Sequence, residues 1–267
     1  MLDIEWLVLF LLLGCVVGFM AGLLGIGGGG IMVPLLTTLF LAQGVPVEKV
    51  VHLALGTSMA SIIFTSLSSL RAHHAKQAVR WLIVKRLSVG ILIGTFAATF
   101  VVAKIDALYL ALFFSVFMGC VSIQLFLNRH PKPVDHSPGG KEFLCVGAGI
   151  GAVSALVSIG GGSLTVPYLV WRNIDIKHAI GTSAAIGLPI SLAGTLGYLV
   201  NGWSTTTEEA YTYGFIYMPA VALISVASVF MAPIGATLAH RLPVLWLKKI
   251  FSGLLILLSI KMLLSVV

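Results

Sequence analysis

Two stretches of this chain carry their chemistry in the backbone. Ile26-Gly27-Gly28-Gly29-Gly30-Ile31-Met32-Val33-Pro34 and Ile159-Gly160-Gly161-Gly162-Ser163-Leu164-Thr165-Val166-Pro167 share one pattern at an offset of 133, 159 minus 26. Glycine disfavours helix by about 1 kcal/mol per residue relative to alanine, so each run predicts a helix break. A short helix restarting after each break, with Pro34 or Pro167 in its opening turn, offers bare N–H groups and the positive end of its dipole. That is anion-binding chemistry, contributed by Gly27, Gly28, Gly29 and Gly30 in one run and by Gly160, Gly161, Gly162 and Ser163 in the other. Glycine runs also let helices pack closely. The recurrence and the matched proline favour the break.

A second pair of motifs supplies hydroxyls. Gly56-Thr57-Ser58 recurs as Gly181-Thr182-Ser183, an offset of 125, 181 minus 56, each inside an Ala-Leu/Ile-Gly-Thr-Ser context. Thr57, Ser58, Thr182 and Ser183 are candidate donors to an oxyanion because they recur. Ser58, Ser61 and Thr65 fall at helical spacing on one face, as do Ser183, Ser191 and Thr195. Hydroxyls of this kind also join helices or bond back to their own carbonyls, and spacing alone does not separate the two roles. Pro189 frees the Ala185 carbonyl, as a hinge or as a packing kink. His52, just before the first Gly-Thr-Ser, is a candidate proton relay, whereas His73 and His74 are expected to be solvated in a basic loop. Lys104 and Arg241 read as interface anchors. No deep apolar segment holds an acidic residue, which argues for an anion over a cation or a proton chain. No metal site or cofactor is predicted: Cys15, Cys120 and Cys145 lack pairing or metal spacing.

The elements that must position these groups lie in a bilayer. The 267 residues are 58% hydrophobic and 9% charged, with mean hydropathy +1.07, against about 25% charged in a soluble chain. An all-α integral membrane protein follows. The net charge of +7 sits in short loops, which orient a membrane protein, and nucleic-acid binding is excluded. Asp3 and Glu5 replace the basic start of a cleavable signal, so the first segment is expected to be retained.

Apolar runs fall near residues 5–22, 31–42, 50–70, 82–103 and 107–127, then 143–158, 164–172, 178–200, 214–239 and 246–266. They define a first membrane repeat, 1–127, a Pro- and Gly-rich cytoplasmic linker, 128–142, and a second repeat, 143–267. After the third segment the first repeat carries Arg71, Lys76, Arg80, Lys85 and Arg86, while the second carries Glu208 and Glu209. The positive-inside bias therefore predicts two inverted-topology repeats of about five helical segments each, with Gly-rich helix breaks and both termini outside. The short segments 31–42 and 164–172 fit either tilted crossings or re-entrant hairpins.

In this order the motifs resemble the sulfite exporter TauE/SafE family, the TSUP transporters. The resemblance rests on Gly22-Leu23-Leu24-Gly25-Ile26-Gly27-Gly28-Gly29 with Pro34, Ala54-Leu55-Gly56-Thr57-Ser58, Ser158-Ile159-Gly160-Gly161-Gly162 with Pro167, and Ala179-Ile180-Gly181-Thr182-Ser183. The closing segment from Gly235 through Leu263, with His240-Arg241-Leu242-Pro243, is also similar. It implies a multi-pass permease of the cell inner membrane for small sulfur-containing anions: sulfite, thiosulfate or organosulfonates. Ser163 departs from the fourth glycine of the first run. The expected function is a secondary transporter, not an enzyme, working by alternating access around a midplane site at the two breaks. Its partners are the anionic substrate and the lipid bilayer. A cation or metal permease, or an intramembrane enzyme or assembly factor, is the alternative; oligomeric state is not legible. No Gly-Lys-Ser/Thr nucleotide loop is present.

Overall fold

The computed structural model describes residues 4–25, 27–127, 140–203, 211–239 and 244–266. Long runs of Leu, Val, Ile, Phe and Ala, interrupted by few charges, leave helix as the economical way to satisfy backbone polar groups away from water. Ten helices result among the described residues: α1 (Ile4–Leu24), α2 (Gly29–Ala42), α3 (Val47–Ala75), α4 (Trp81–Val102), α5 (Ala107–Leu127), α6 (Gly140–Val157), α7 (Gly162–Trp171), α8 (Ile176–Gly202), α9 (Met218–Ala239) and α10 (Val244–Val266). Seven of these, α1, α3, α4, α5, α6, α8 and α9, are long and apolar enough to cross a membrane. At 1.5 Å per residue the 14 residues of α2 and the 10 of α7 reach roughly 21 and 15 Å, short of a hydrocarbon core of about 30 Å.

Most boundaries fall within a few residues of those the sequence predicts. Helix α6 starts at Gly140, inside the expected linker, with Glu142 in its first turn ion-paired to Arg172 at the end of α7. The expected segment 214–239 opens instead as a small hairpin, β1 (Thr212–Tyr213) paired antiparallel with β2 (Ile216–Tyr217), before α9 begins. Residues 128–139 of the linker, the Glu208–Glu209 loop and His240 through Pro243 lie outside the described residues.

The core is built by glycine at helix crossings. Gly14, Gly18 and Gly22 of α1 meet Ile224, Ser228 and Ala232 of α9, so these two helices run in the same direction. Gly147 and Gly151 of α6 meet Leu87, Ile91 and Thr95 of α4, again in the same direction. Glycine brings backbones together where side chains would hold them apart; a Cβ on Gly18 would stand 2.5 Å from the Ser228 Cα. Helices α3 and α8 run antiparallel through the centre, with Gly187 against Ser66 and Gly194 against Met59. On the periphery α5 and α10 are also antiparallel, tied by Ser115 Oγ to the Ser259 carbonyl (2.9 Å), Ser259 Oγ to the Ser115 carbonyl (3.0 Å) and Ser122 Oγ to the Ser252 carbonyl (2.6 Å). Leu92, Phe96, Leu108, Phe230 and Leu257 stay exposed on outer faces, an apolar belt suited to lipid.

Candidate functional site

Each glycine run is a break between two helices. Gly25, Gly27 and Gly28 have φ of 67°, 74° and 82°, and Gly28 caps the start of α2 in the left-handed region. In the second run Ser158 (φ 49°) and Gly161 (φ 84°) take that conformation, and Gly161 caps α7. Glycine is favoured there because a Cβ in the left-handed region costs roughly 1–2 kcal/mol, a cost that Ser158 bears. Gly28 accepts from the N–H groups of Ile31 and Met32, and Gly161 from those of Leu164 and Thr165. The N–H groups of Gly29, Gly30, Gly162 and Ser163 precede these and have no acceptor within their helices. Pro34 and Pro167 are each the sixth residue of their helix, one turn later than the opening turn expected from sequence. There they remove a bond to the Gly30 and Ser163 carbonyls.

The breaks touch. A Cβ on Gly27 would lie 2.7 Å from the Gly160 Cα, and the Gly29 position abuts the Ser158 carbonyl. All eight expected break residues, Gly27 to Gly30 and Gly160 to Ser163, are buried. Helices α3 and α8 flank them near their middles: Ile62 approaches Gly27, and Ile186 and Gly187 approach Gly161 and Gly160.

The recurring hydroxyls divide by use. Thr57 Oγ1 accepts from the Tyr217 N–H at 3.0 Å, holding the start of α9 on α3. Thr182 Oγ1 accepts from the Arg80 N–H at 3.0 Å, holding the start of α4 on α8. Ser183 Oγ donates to the Gly25 carbonyl at 2.8 Å, while Ser58 Oγ is fully buried with no hydrogen-bond partner. Ser61 and Thr65 bond back to Thr57 and Ser61 carbonyls, Thr65 also meets Ser228 Oγ at 2.8 Å, and Ser191 bonds the Leu188 carbonyl. Ser61 and Ser191 thus bond back within their own helices, and Thr65 also joins α3 to α9.

Residues 10–262 match the family described as Sulfite exporter TauE/SafE. The chain belongs to the sulfite exporter TauE/SafE family. It is 35% identical to a probable membrane transporter protein of Haemophilus influenzae, over 98% of this chain and 99% of that one. A probable membrane transporter protein of Methanocaldococcus jannaschii is 28% identical over 98% of both chains, and one of Bacillus subtilis 28% identical over 91% and 92%. No solved structure matches.

In this TauE/SafE chain several further groups fall where sequence did not point. Thr165, in the first turn of α7, is fully buried with a free hydroxyl; its Oγ1 lies 3.2 Å from where a Cβ on Gly161 would stand. Its signal was available, because it follows the second run as Met32 follows the first. Ser163 Oγ, which the sequence did single out, is likewise buried and unpartnered. His73 is a correction: its Nε2 meets the Gly22 carbonyl at 3.0 Å, buried beneath α1, because α3 runs on to Ala75. His74 is exposed, as expected, and accepts from Trp81 Nε1. His52 Nε2 meets the Val102 carbonyl at 3.1 Å, and its ring packs against Phe215. It lines a cavity of about 370 Å³ with Glu48, Lys104 and Asp106, away from both breaks.

Proposed function

We propose that this chain is a secondary transporter of small sulfur-containing anions, such as sulfite, thiosulfate or organosulfonates, working by alternating access around the place where the two breaks meet. The observation that carries this reading is the contact of two buried helix N-termini, each capped by a left-handed glycine and each opening with N–H groups that have no acceptor among the described residues. In low dielectric such donors are worth far more to an anion than in water. Ser58, Ser163 and Thr165 complete the shell with neutral hydroxyls. Thr57, Thr182 and Ser183 position the helices around it.

The two halves act as inverted repeats, 1–127 and 143–267 joined by a cytoplasmic linker, with both termini outside. Support comes from bonds that recur between halves: Thr57 with Tyr217 and Thr182 with Arg80 are one contact made twice, at offsets of 125 (182 minus 57) and 137 (217 minus 80). The pairing of α1 with α9 has its counterpart in α6 with α4. The antiparallel pairs α3–α8 and α5–α10 are the arrangement expected of elements related by an axis in the membrane plane. Short α2 and α7 are half-crossings that end at the centre. Pro34, Pro167 and Pro189 are the points at which helices give as the halves rock. The membrane potential supplies about 2.3 kcal/mol per charge per 100 mV and favours anion exit; His52, in its separate cavity with Glu48, Lys104 and Asp106, is the candidate proton relay.

Liposomes carrying the purified full chain test this reading. They should take up labelled sulfite, thiosulfate or a short organosulfonate faster than protein-free liposomes. Folded protein that moves none of them would overturn the assignment.

A further inference from the structure

The two breaks present the same backbone but different surroundings. Each supplies two leading N–H groups, Gly29 and Gly30 in the first and Gly162 and Ser163 in the second. Around the second break stand three buried hydroxyls with no partner: Ser163 Oγ, Thr165 Oγ1 and Ser58 Oγ. Ser58 belongs to this break by geometry. It lies on α3 between Leu55, whose carbonyl accepts from Ser158 Oγ at 3.0 Å, and Ile62, which reaches the meeting point of the two runs.

The residues in the matching places of the first break offer none of this. Ser163 corresponds to Gly30, Thr165 to Met32 and Ser58 to Ser183, by the same offsets of 133 and 125. Gly30 has no side chain, and the space a Cβ would fill is taken by Met118, with Leu255 Cδ2 3.4 Å away. Met32 is apolar and fully buried. The hydroxyl of Ser183 is already spent on the Gly25 carbonyl. Val17 covers Gly28. Free buried hydroxyls occur elsewhere, at Thr37, Thr95 and Ser225 among others, but next to the breaks they fall on one side.

Charge narrows the ligand further. Among the described residues, those found against the break glycines, Val17, Ile62, Met118, Ser158, Ile186 and Ile190 among them, carry no charged side chain. The positive potential available is that of a helix N-terminus, equivalent to roughly half an elementary charge. Moving an ion out of water is costly, and a second charge multiplies that cost with no counterion to offset it.

Resting on the reading of the breaks as the anion site, we infer that the site is polarised. The second-half break grips the oxygen-bearing head of a singly charged solute, and the first-half break faces its uncharged remainder. Three hydroxyls and two N–H groups match a head with three oxygens, each able to accept more than one bond. The class is a sulfonate-like monoanion with a small neutral tail, in preference to a doubly charged ion such as sulfate.

The test uses the full chain in liposomes with labelled methanesulfonate and labelled sulfate as probes. Methanesulfonate uptake should exceed sulfate uptake. Thr165→Val and Ser58→Ala should each raise the half-saturating methanesulfonate concentration roughly tenfold, the equivalent of about 1.4 kcal/mol. Because these hydroxyls make no bond within the protein, the unfolding temperature in detergent should stay unchanged. Met32→Leu should alter uptake less than twofold. Ser183→Ala should lower the unfolding temperature and raise half-saturation less than Ser58→Ala does. If Ser183→Ala weakens methanesulfonate as much as Ser58→Ala does, or if sulfate is preferred, the polarity is wrong while the site stands. If methanesulfonate is transported and none of these variants changes its half-saturation, the breaks are not the site. Uptake of neither probe overturns the inference.

Discussion

Glycine does two different jobs in this protein, and the contrast between them is instructive. At the seams, Gly14, Gly18 and Gly22 on α1 and Gly147 and Gly151 on α6 sit in unbroken helix and press against the backbones of α9 and α4. At the breaks, Gly25, Gly27, Gly28 and Gly161 take φ between 67° and 84°, and the helix stops. The first job is about volume: a small residue lets two helices touch. The second is about conformation: the residue turns the chain so that N–H groups are left over. A seam keeps the helical backbone bonds intact, even where a hydroxyl such as Thr95 Oγ1 opposite Gly151 stays unpartnered, whereas a break leaves backbone N–H groups without an acceptor in their helix.

The largest effect expected from this contrast lies at the seams. A Leu at Gly18 or Gly151 must push apart helices whose backbone atoms would stand 2.5 Å from its Cβ. Overpacking of this kind costs about 1–3 kcal/mol and more where backbone is the obstacle. Both variants should therefore unfold at clearly lower temperature in detergent. Gly149→Leu, on the same α6 with nothing within 4 Å, should leave stability unchanged or slightly raised. Equal losses at Gly149 and Gly151 would show that helix propensity, not the seam, sets the cost.

Next in size is Gly161→Ala. Here a Cβ lands 2.8 Å from Ile190 Cδ1, a flexible side-chain end, so space is a lesser obstacle than the φ of 84°, worth about 1–3 kcal/mol of strain. The seam and break variants should separate in their readouts. Seam variants should lose transport in proportion to lost folded protein; Gly161→Ala should lose transport per folded molecule, measured as uptake normalised to protein recovered in monodisperse form.

The division between these jobs was half legible from sequence. Four glycines before a proline, matched 133 residues later by three glycines and a serine before another proline, announced the breaks. The seams were equally visible as glycine at every fourth position from Gly14 to Gly22, yet such spacing does not name the helix it meets, and α9 is more than 200 residues away. Hydroxyl roles were legible least. Thr57 and Ser58 are adjacent and both recur, but one is consumed by the Tyr217 N–H and the other is free, because a turn of α3 points them at different neighbours. Only the packing decides which is spent. His73 was misread for a related reason: basic neighbours in sequence suggested a loop, while α3 continues past it and holds it under the end of α1.

Thr57→Val and Thr182→Val sharpen the comparison between halves. Each removes the acceptor for a backbone N–H that starts the next helix, at Tyr217 or Arg80. Both donors are only partly buried, so the loss falls at or below the low end of the roughly 1–3 kcal/mol that a buried unpaired donor costs. Equivalent contacts predict equivalent losses, so the two variants should lower the unfolding temperature by similar amounts. A wide difference would show that the recurrence of the motif is not a recurrence of its energetics.

The smallest effect belongs to the serines of α5 and α10, which represent the fully satisfied extreme. Ser115 and Ser259 each donate to the other's carbonyl, so neither hydroxyl is available to a solute. Hydrogen bonds between helices in a bilayer average about 0.6 kcal/mol, because the separated helices find other partners. Ser259→Ala should therefore shift stability by about that much and leave transport untouched. Replacing both serines should cost nearly the sum of the single changes, since each hydroxyl bonds to backbone that the other substitution leaves in place. A double-mutant cycle on unfolding checks this. Strong coupling would mean that the α5–α10 contact closes as a unit, and the line between spent and waiting hydroxyls would then need a cooperative term that the geometry of single bonds does not contain.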